Sequence, residues 1–132
     1  MRSEESGGAP SRRVERYTDL KVWQAAMSLS DVVYDATARF PKSEVFGLAS
    51  RLQRAAVSIP SNIAEGWGRG QTREYVQFLR YARGSLYEVE TQLRIARRRG
   101  YVDDALLQKA LGATDEISRM LAGLAEALRK RP

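Results

Sequence analysis

Tyr75, Leu79, Ala82, Leu86, Val89, Leu93 and Ala96 recur at spacings of four and three residues in strict alternation. On an α-helix that spacing puts all seven side chains on one seam; on a strand, whose faces repeat every second residue, it would scatter them. A seam of about three heptads must be buried along its length, so the chain has to supply other helices to cover it. Thr72 with Glu74 gives this helix a start signal and Gly100 closes it. Asp103 and Asp104 open a fourth helix. There Leu106, Ala110, Ala113, Ile117, Met120, Leu124 and Ala127 repeat the spacing, flanked by Leu107, Leu111, Leu121 and Leu128. Near the N-terminus, Leu20, Trp23, Met27, Ser30, Tyr34 and Thr37 form one row beside a second of Val22, Ala26, Leu29, Val33, Ala36 and Phe40. Thr18 or Asp19 is the expected cap, Pro41 the stop, and Phe40 to Phe46 a short connection. No segment alternates with period two. Residues 17–130 therefore read as an all-α, antiparallel up-down-up-down four-helix bundle. Residues 1–16, with Gly7, Gly8 and Pro10 and almost nothing to bury, read as a disordered N-terminal tail.

The second helix carries the irregularity. Over residues 48–69, Arg51, Arg54, Ser58, Asn62, Glu65 and Arg69 fall on one polar stripe, while apolar and small residues cover more than half of the circumference. That is wider than the roughly 100° one core contact requires, so packing on two sides is expected. Pro60 forfeits the hydrogen bond to the Ala56 carbonyl, at about 3 kcal/mol in a helix interior. A bend is expected there, either simply tolerated or fixed by contacts of Ser58 and Asn62. Glu65 can pair with Arg69 for about a few tenths of a kcal/mol. Gly66, Gly68 and Gly70 are read as the break before the third helix. Gly84, inside that helix, costs about 1 kcal/mol relative to alanine and lies off the seam, so its missing side chain is read as room for a helix of a neighbouring subunit. Pro60, Asn62, Glu65, Gly66, Gly84 and Glu88 are thus the structural or interface candidates.

Chemistry is sparse. There is no cysteine and no histidine, so thiolate metal sites and the commonest general base are excluded, and neither an enzyme nor a cofactor is expected. Asp31 and Asp35 pair at i, i+4 but lack the histidine partners of a di-metal bundle; Glu88 and Glu90 point to different sides. No glycine-rich string with the lysine of a phosphate loop is present. No apolar run is long enough to span a membrane, and a cytoplasmic protein is expected.

The charge is more telling. The chain carries 22 Lys plus Arg against 16 Asp plus Glu, a net +6. Four arginines and three glutamates in residues 1–16 account for one of those charges, leaving +5 on the bundle. Arginine supplies 18 of the 22 cations, the type suited to bidentate phosphate contact and to stacking on bases. In an up-down bundle Arg12, Arg13, Arg16, Lys21, Arg69, Arg73, Arg129, Lys130 and Arg131 gather at one end, the candidate nucleic-acid-binding set. Arg39, Lys42, Arg94, Arg97, Arg98 and Arg99 gather at the other. Helix dipoles alone also favour arginines at helix C-termini, so solvated ends are the competing explanation. Of the tyrosines Tyr75, Tyr81, Tyr87 and Tyr101, most read as core or interface aromatics.

Leu20-Lys21-Val22-Trp23-Gln24-Ala25-Ala26, Phe40-Pro41, the run Ala55-Ala56-Val57-Ser58-Ile59-Pro60-Ser61-Asn62-Ile63-Ala64-Glu65-Gly66 and Gly84-Ser85-Leu86-Tyr87-Glu88 together resemble the bacterial four-helix-bundle family first named for proteins encoded in intervening sequences of 23S ribosomal RNA genes. The resemblance spans about residues 17–125; one departure is Arg51-Leu52-Gln53-Arg54 where the family pattern reads Gln-Leu-Arg-Arg. It implies a homo-oligomer, a ring of five among the options. It also implies kinship with accessory proteins of diversity-generating retroelements, which work beside a reverse transcriptase, and it brings no catalytic residue. A ring of five would carry about +25, enough for a footprint of many phosphates. Two readings stand: a basic, non-enzymatic oligomeric accessory protein that binds RNA or DNA largely without sequence specificity beside a partner protein, or a structural, protein-interaction homo-oligomer. No helix-turn-helix, zinc or RNP-type signature is present, which is why sequence-independent binding is expected.

Overall fold

A computed structural model describes residues 13–131. A 3-10 turn at Tyr17–Asp19 leads into α1 (Lys21–Thr37); a second such turn at Lys42–Glu44 precedes α2 (Leu48–Trp67), followed by α3 (Thr72–Arg98) and α4 (Asp104–Arg129). The helices pack in chain order, α2 most extensively on α3, then α1 on α2, α3 on α4, and α4 back on α1. This is the expected antiparallel four-helix bundle.

The α3 seam is buried at all seven expected positions, with Val76 and Ser85 beside it. In α4 the buried line is not the expected one. Leu107, Ala110, Thr114, Ile117, Leu121 and Leu128 face the core, whereas Leu106, Ala113, Met120 and Leu124 are only partly buried and Ala127 is exposed. The seam turns on Thr114, a polar residue at a core position. It is tolerated because its hydroxyl lies 2.6 Å from Glu90 Oε2 and 3.0 Å from the Leu111 carbonyl. In α1 the row Val22, Ala26, Leu29, Val33 and Ala36 goes inside. Of the row beside it, Leu20 and Thr37 are buried at the two ends, whereas Met27 and Tyr34 are left 41% and 49% exposed. That row also contains Ser30 and a tyrosine hydroxyl, which would need partners if buried.

The two apolar sides of α2 are met within the chain, one by α1 and one by α3, so its wide apolar surface does not by itself call for a second subunit. Pro60 is buried and α2 runs through it unbroken. Around the lost Ala56 bond, side chains reach neighbouring carbonyls: Ser58 Oγ donates to Ala55 O (2.8 Å), Ser61 Oγ to Val57 O (2.9 Å) and Asn62 Nδ2 to Ser58 O (2.8 Å). Such back-bonding bends and loosens a helix locally, which accommodates the proline ring.

The caps correct the sequence reading twice. Asp19 does not start α1; its carboxylate accepts the Glu15 and Arg16 amides at 3.0 and 3.1 Å, capping the preceding turn. Thr72 is the first residue of α3, after an extended Gln71, and is not its cap. Asp103 behaves as expected, its Oδ1 accepting the Leu106 amide at 2.8 Å. Gly100 ends α3 with φ +77°, and the Tyr101 amide reaches back to Ala96 O at 2.9 Å. Gly66 is no break. It lies buried in the last turn of α2, where an added Cβ would stand 2.9 Å from Phe78 Cβ and 3.3 Å from the Tyr75 carbonyl. Its missing side chain sets how closely α2 and α3 approach.

Candidate functional site

Charge is sorted by position along the bundle. The end where α1 turns into α2 and α3 into α4, residues 35–54 and 92–109, holds nine Lys and Arg side chains against four carboxylates. The opposite end, residues 13–27, 62–76 and 123–131, holds eight against five, and the middle turns hold three against five. A dipolar helix alone would place cations at its C-terminus. Arg51, Arg54 and Lys109 lie at the first end without belonging to a last turn, so the excess exceeds what dipoles ask for.

The two ends also differ in pairing. At the end singled out from the sequence, Arg69 meets Glu65 at 2.8 Å and lies over the Phe78 ring at 4.7 Å. Arg129 and Lys130 share Glu126 at 4.0 and 3.7 Å. Arg13, Arg16, Lys21 and Arg73 are exposed; Arg12 lies outside the described residues. Arg131 reaches the α2–α3 connection, where with Trp67, Gly70, Gln71, Thr72, Tyr75 and Leu128 it lines a hollow of about 210 Å³. The Tyr75 hydroxyl is buried there without a hydrogen-bond partner; burial pushes its pKa up, against a smaller pull from Arg131.

At the other end Arg97 meets Asp104 at 3.8 Å. Arg39, Lys42, Arg51, Arg54, Arg94 and Arg98 make no ion pair among the described residues. Glu44 is occupied in building the loop. Its Oε1 accepts the Leu48 amide at 3.1 Å, and its Oε2 accepts the Tyr101 hydroxyl at 2.9 Å, with the Tyr101 ring against Phe40 at 5.3 Å. The Leu48 amide, then Tyr101 and, less strongly, Arg99 hold its carboxyl below the usual carboxylate value. Gly47 makes this possible, since a Cβ there would stand 2.8 Å from Glu44 Oε1.

Between the ends, α2 and α3 leave an open groove of about 590 Å³ lined by Arg51, Arg54, Ala55, Ser58, Ser85, Glu88 and Gln92. Ser58 and Ser85 share a hydrogen bond across it, and Gln92 Oε1 is buried on its floor without a partner. Glu88 is exposed, and with Gly84 it borders a shallower hollow of about 260 Å³. Beyond the local backbone of α3 and the two neighbouring residues, nothing of the described chain lies within 4 Å of a Cβ at Gly84. The six interface candidates therefore separate: Pro60 and Gly66 are core, Asn62 and Glu65 bond within or beside α2, and Gly84 and Glu88 remain open on the outer face of α3.

Two features escaped the sequence reading. Arg51 and Arg54 of α2 share a groove with Glu88 of α3, a juxtaposition that needs the relative rotation of the helices. Phe46 is 96% exposed. The available signal was an aromatic in a connection, belonging to neither neighbouring seam.

A family model for the 23S rRNA-intervening sequence protein matches residues 18–123. Among solved structures, a protein of unknown function from the S23 ribosomal protein family of Bacteroides thetaiotaomicron aligns with a TM-score of 0.73 and 17% identity. The alignment covers 79% of this chain and 97% of that one, a likeness of fold. No curated protein matches the chain.

Proposed function

We propose, from the premise that this chain belongs to the 23S rRNA-intervening sequence protein family, that it is a non-enzymatic, homo-oligomeric accessory protein that binds nucleic acid with little regard to sequence. The observation that carries this reading is the surplus of unpaired guanidinium and ammonium groups at the α1–α2 and α3–α4 end. Exposed cations not held in an ion pair are free to exchange their counterions for phosphates, and the released ions drive association. Arginine predominates, which suits bidentate phosphate contact. Contacts of this kind fall on the backbone of the strand and carry no sequence information. Assembly multiplies the effect, because every copy repeats the same basic end.

Salt-titrated binding to mixed-sequence RNA and DNA tests it. Affinity should fall steeply and log-linearly as salt rises, with little difference among sequences. Absence of binding near 100 mM salt would instead favour the second reading, a structural homo-oligomer. The apolar side chains left exposed on α1, Met27 and Tyr34, and the open Gly84 face of α3 favour that alternative.

A further inference from the structure

Phe46 is more exposed than any other large apolar side chain among the described residues, and the adjoining Val45 is half exposed. Loose chain does not account for this. The Glu44 amide donates to Pro41 O (2.9 Å), the Val45 amide to Lys42 O (3.2 Å) and the Gly47 amide to Glu44 O (3.0 Å). Glu44 is itself tied to α2 and to Tyr101, so residues on both sides of Phe46 are held. An aromatic ring is being presented to the outside by a built loop.

Its setting is the more basic end of the bundle. Glu44 and Gly47 of the same connection border a hollow of about 360 Å³, with Leu48 and Ile95 as apolar walls and the Arg51 and Arg99 guanidiniums around it. Resting on the nucleic-acid reading above, we propose that Phe46 is a stacking platform for an unpaired base. The neighbouring phosphates of the strand lie on the surrounding arginines and Lys42, so the preferred ligand is single-stranded. Stacking needs an exposed base face, which a duplex keeps covered. A phenyl ring has no group to read base edges or a 2′-hydroxyl, so RNA and DNA strands are bound alike. A second copy of this chain fits this end less well. Each copy brings the same cationic surface, and end-to-end docking would set like charges together.

The test is fluorescence anisotropy with labelled U20, dT20 and a 20-base-pair duplex, comparing the unaltered chain with Phe46→Ala and Phe46→Trp. Phe46→Ala should weaken both single strands about tenfold, with the duplex changed less than about twofold and the salt slope unaltered. Phe46→Trp should restore single-strand binding and show quenched tryptophan emission on addition of the strand. The position is exposed, so matching melting curves serve as the folding control. Phe46→Ala binding single strands like the unaltered chain, or losing strand and duplex equally, overturns the proposal. A drop in native mass for Phe46→Ala also overturns it, making Phe46 a subunit contact. If the unaltered chain binds none of the three probes, the nucleic-acid reading itself fails, a result distinct from all of these.

Discussion

Gly66 and Gly84 both sit inside helices, yet alanine at the two positions should act in opposite directions. In each case the new methyl removes backbone freedom from the unfolded chain and favours the helix by about 1 kcal/mol. At Gly84 nothing beyond the local helix backbone and the two neighbouring residues lies within 4 Å of the new Cβ, so no packing contact opposes that gain. Gly84→Ala should stabilise the chain by about 0.5–1 kcal/mol. At Gly66 the Cβ would meet Phe78 Cβ at 2.9 Å, Tyr75 Cδ1 at 3.0 Å and Tyr75 O at 3.3 Å. Phe78 Cβ and Tyr75 O move only with the α3 backbone, so relief requires prying apart the most extensive helix pair in the bundle. Overpacking of that kind costs about 1–3 kcal/mol, leaving Gly66→Ala destabilised by about 1 kcal/mol net. Urea denaturation reads both as shifts of midpoint at constant slope, run at several protein concentrations because assembly adds its own stability. Gly66→Ala as stable as the unaltered chain, or Gly84→Ala less stable at a concentration where the chain is monomeric, would show that packing contact does not set the cost of a side chain at these positions. If Gly84→Ala is more stable as a monomer but lower in native mass, the open Gly84 face is where subunits meet.

Thr114→Val should cost about 1 kcal/mol in the same assay, since it strips the Glu90 carboxylate of its partner while keeping the shape of the core. Asp103→Ala removes the cap of α4 and should likewise cost about 1 kcal/mol; Asp103→Ser should recover most of it. The Glu44 carboxyl titrates below its ordinary 4.5 in the folded chain, so its contribution is present above that pH and disappears as pH falls through the folded value. Melting temperatures across the acid range should show a shallower acid decline for Glu44→Gln. Tyr75 titrates above its ordinary 10.0, so its contribution persists below that pH and is lost as pH rises through the folded value. Tyr75→Phe should flatten the alkaline decline without loss at neutral pH, because the hydroxyl it removes has no partner.

How far the sequence could be read depended on whether a residue type matched its place. The α3 seam contains only tyrosine, alanine and aliphatic residues, so periodicity alone located every buried position. The α4 seam passes through Thr114, and a search for apolar spacing slid one step to the flanking row. In α1 both rows are apolar enough to bury, and only the positions of α2 and α4 decide between them. Glycine was ambiguous for a similar reason: Gly66 closes an interface and Gly100 ends a helix, but a sequence shows the same letter for both. The polarity of the bundle, and hence the two basic ends, was legible from helix order. Pairing within a helix was legible too, as with Glu65 and Arg69 at i, i+4; that Arg39, Arg51, Arg54, Arg94 and Arg98 meet no carboxylate from another helix among the described residues was not, because that depends on how the helices are rotated against one another.

Nucleic acid held at the α1–α2 and α3–α4 end must depend on the cations of that end. Comparing Arg94→Gln/Arg98→Gln with Arg129→Gln/Lys130→Gln tests this dependence most directly. Each pair lies at or near the C-terminus of a long helix, so dipole effects on stability are similar and binding is what separates them. Against U20 over a range of salt, the first pair should weaken binding at least about tenfold and lower the salt slope by about 1.4, the loss of two phosphate contacts on a single strand. The second should change affinity less than about threefold. Equal losses from the two pairs, or a larger loss from Arg129 and Lys130, would contradict the account.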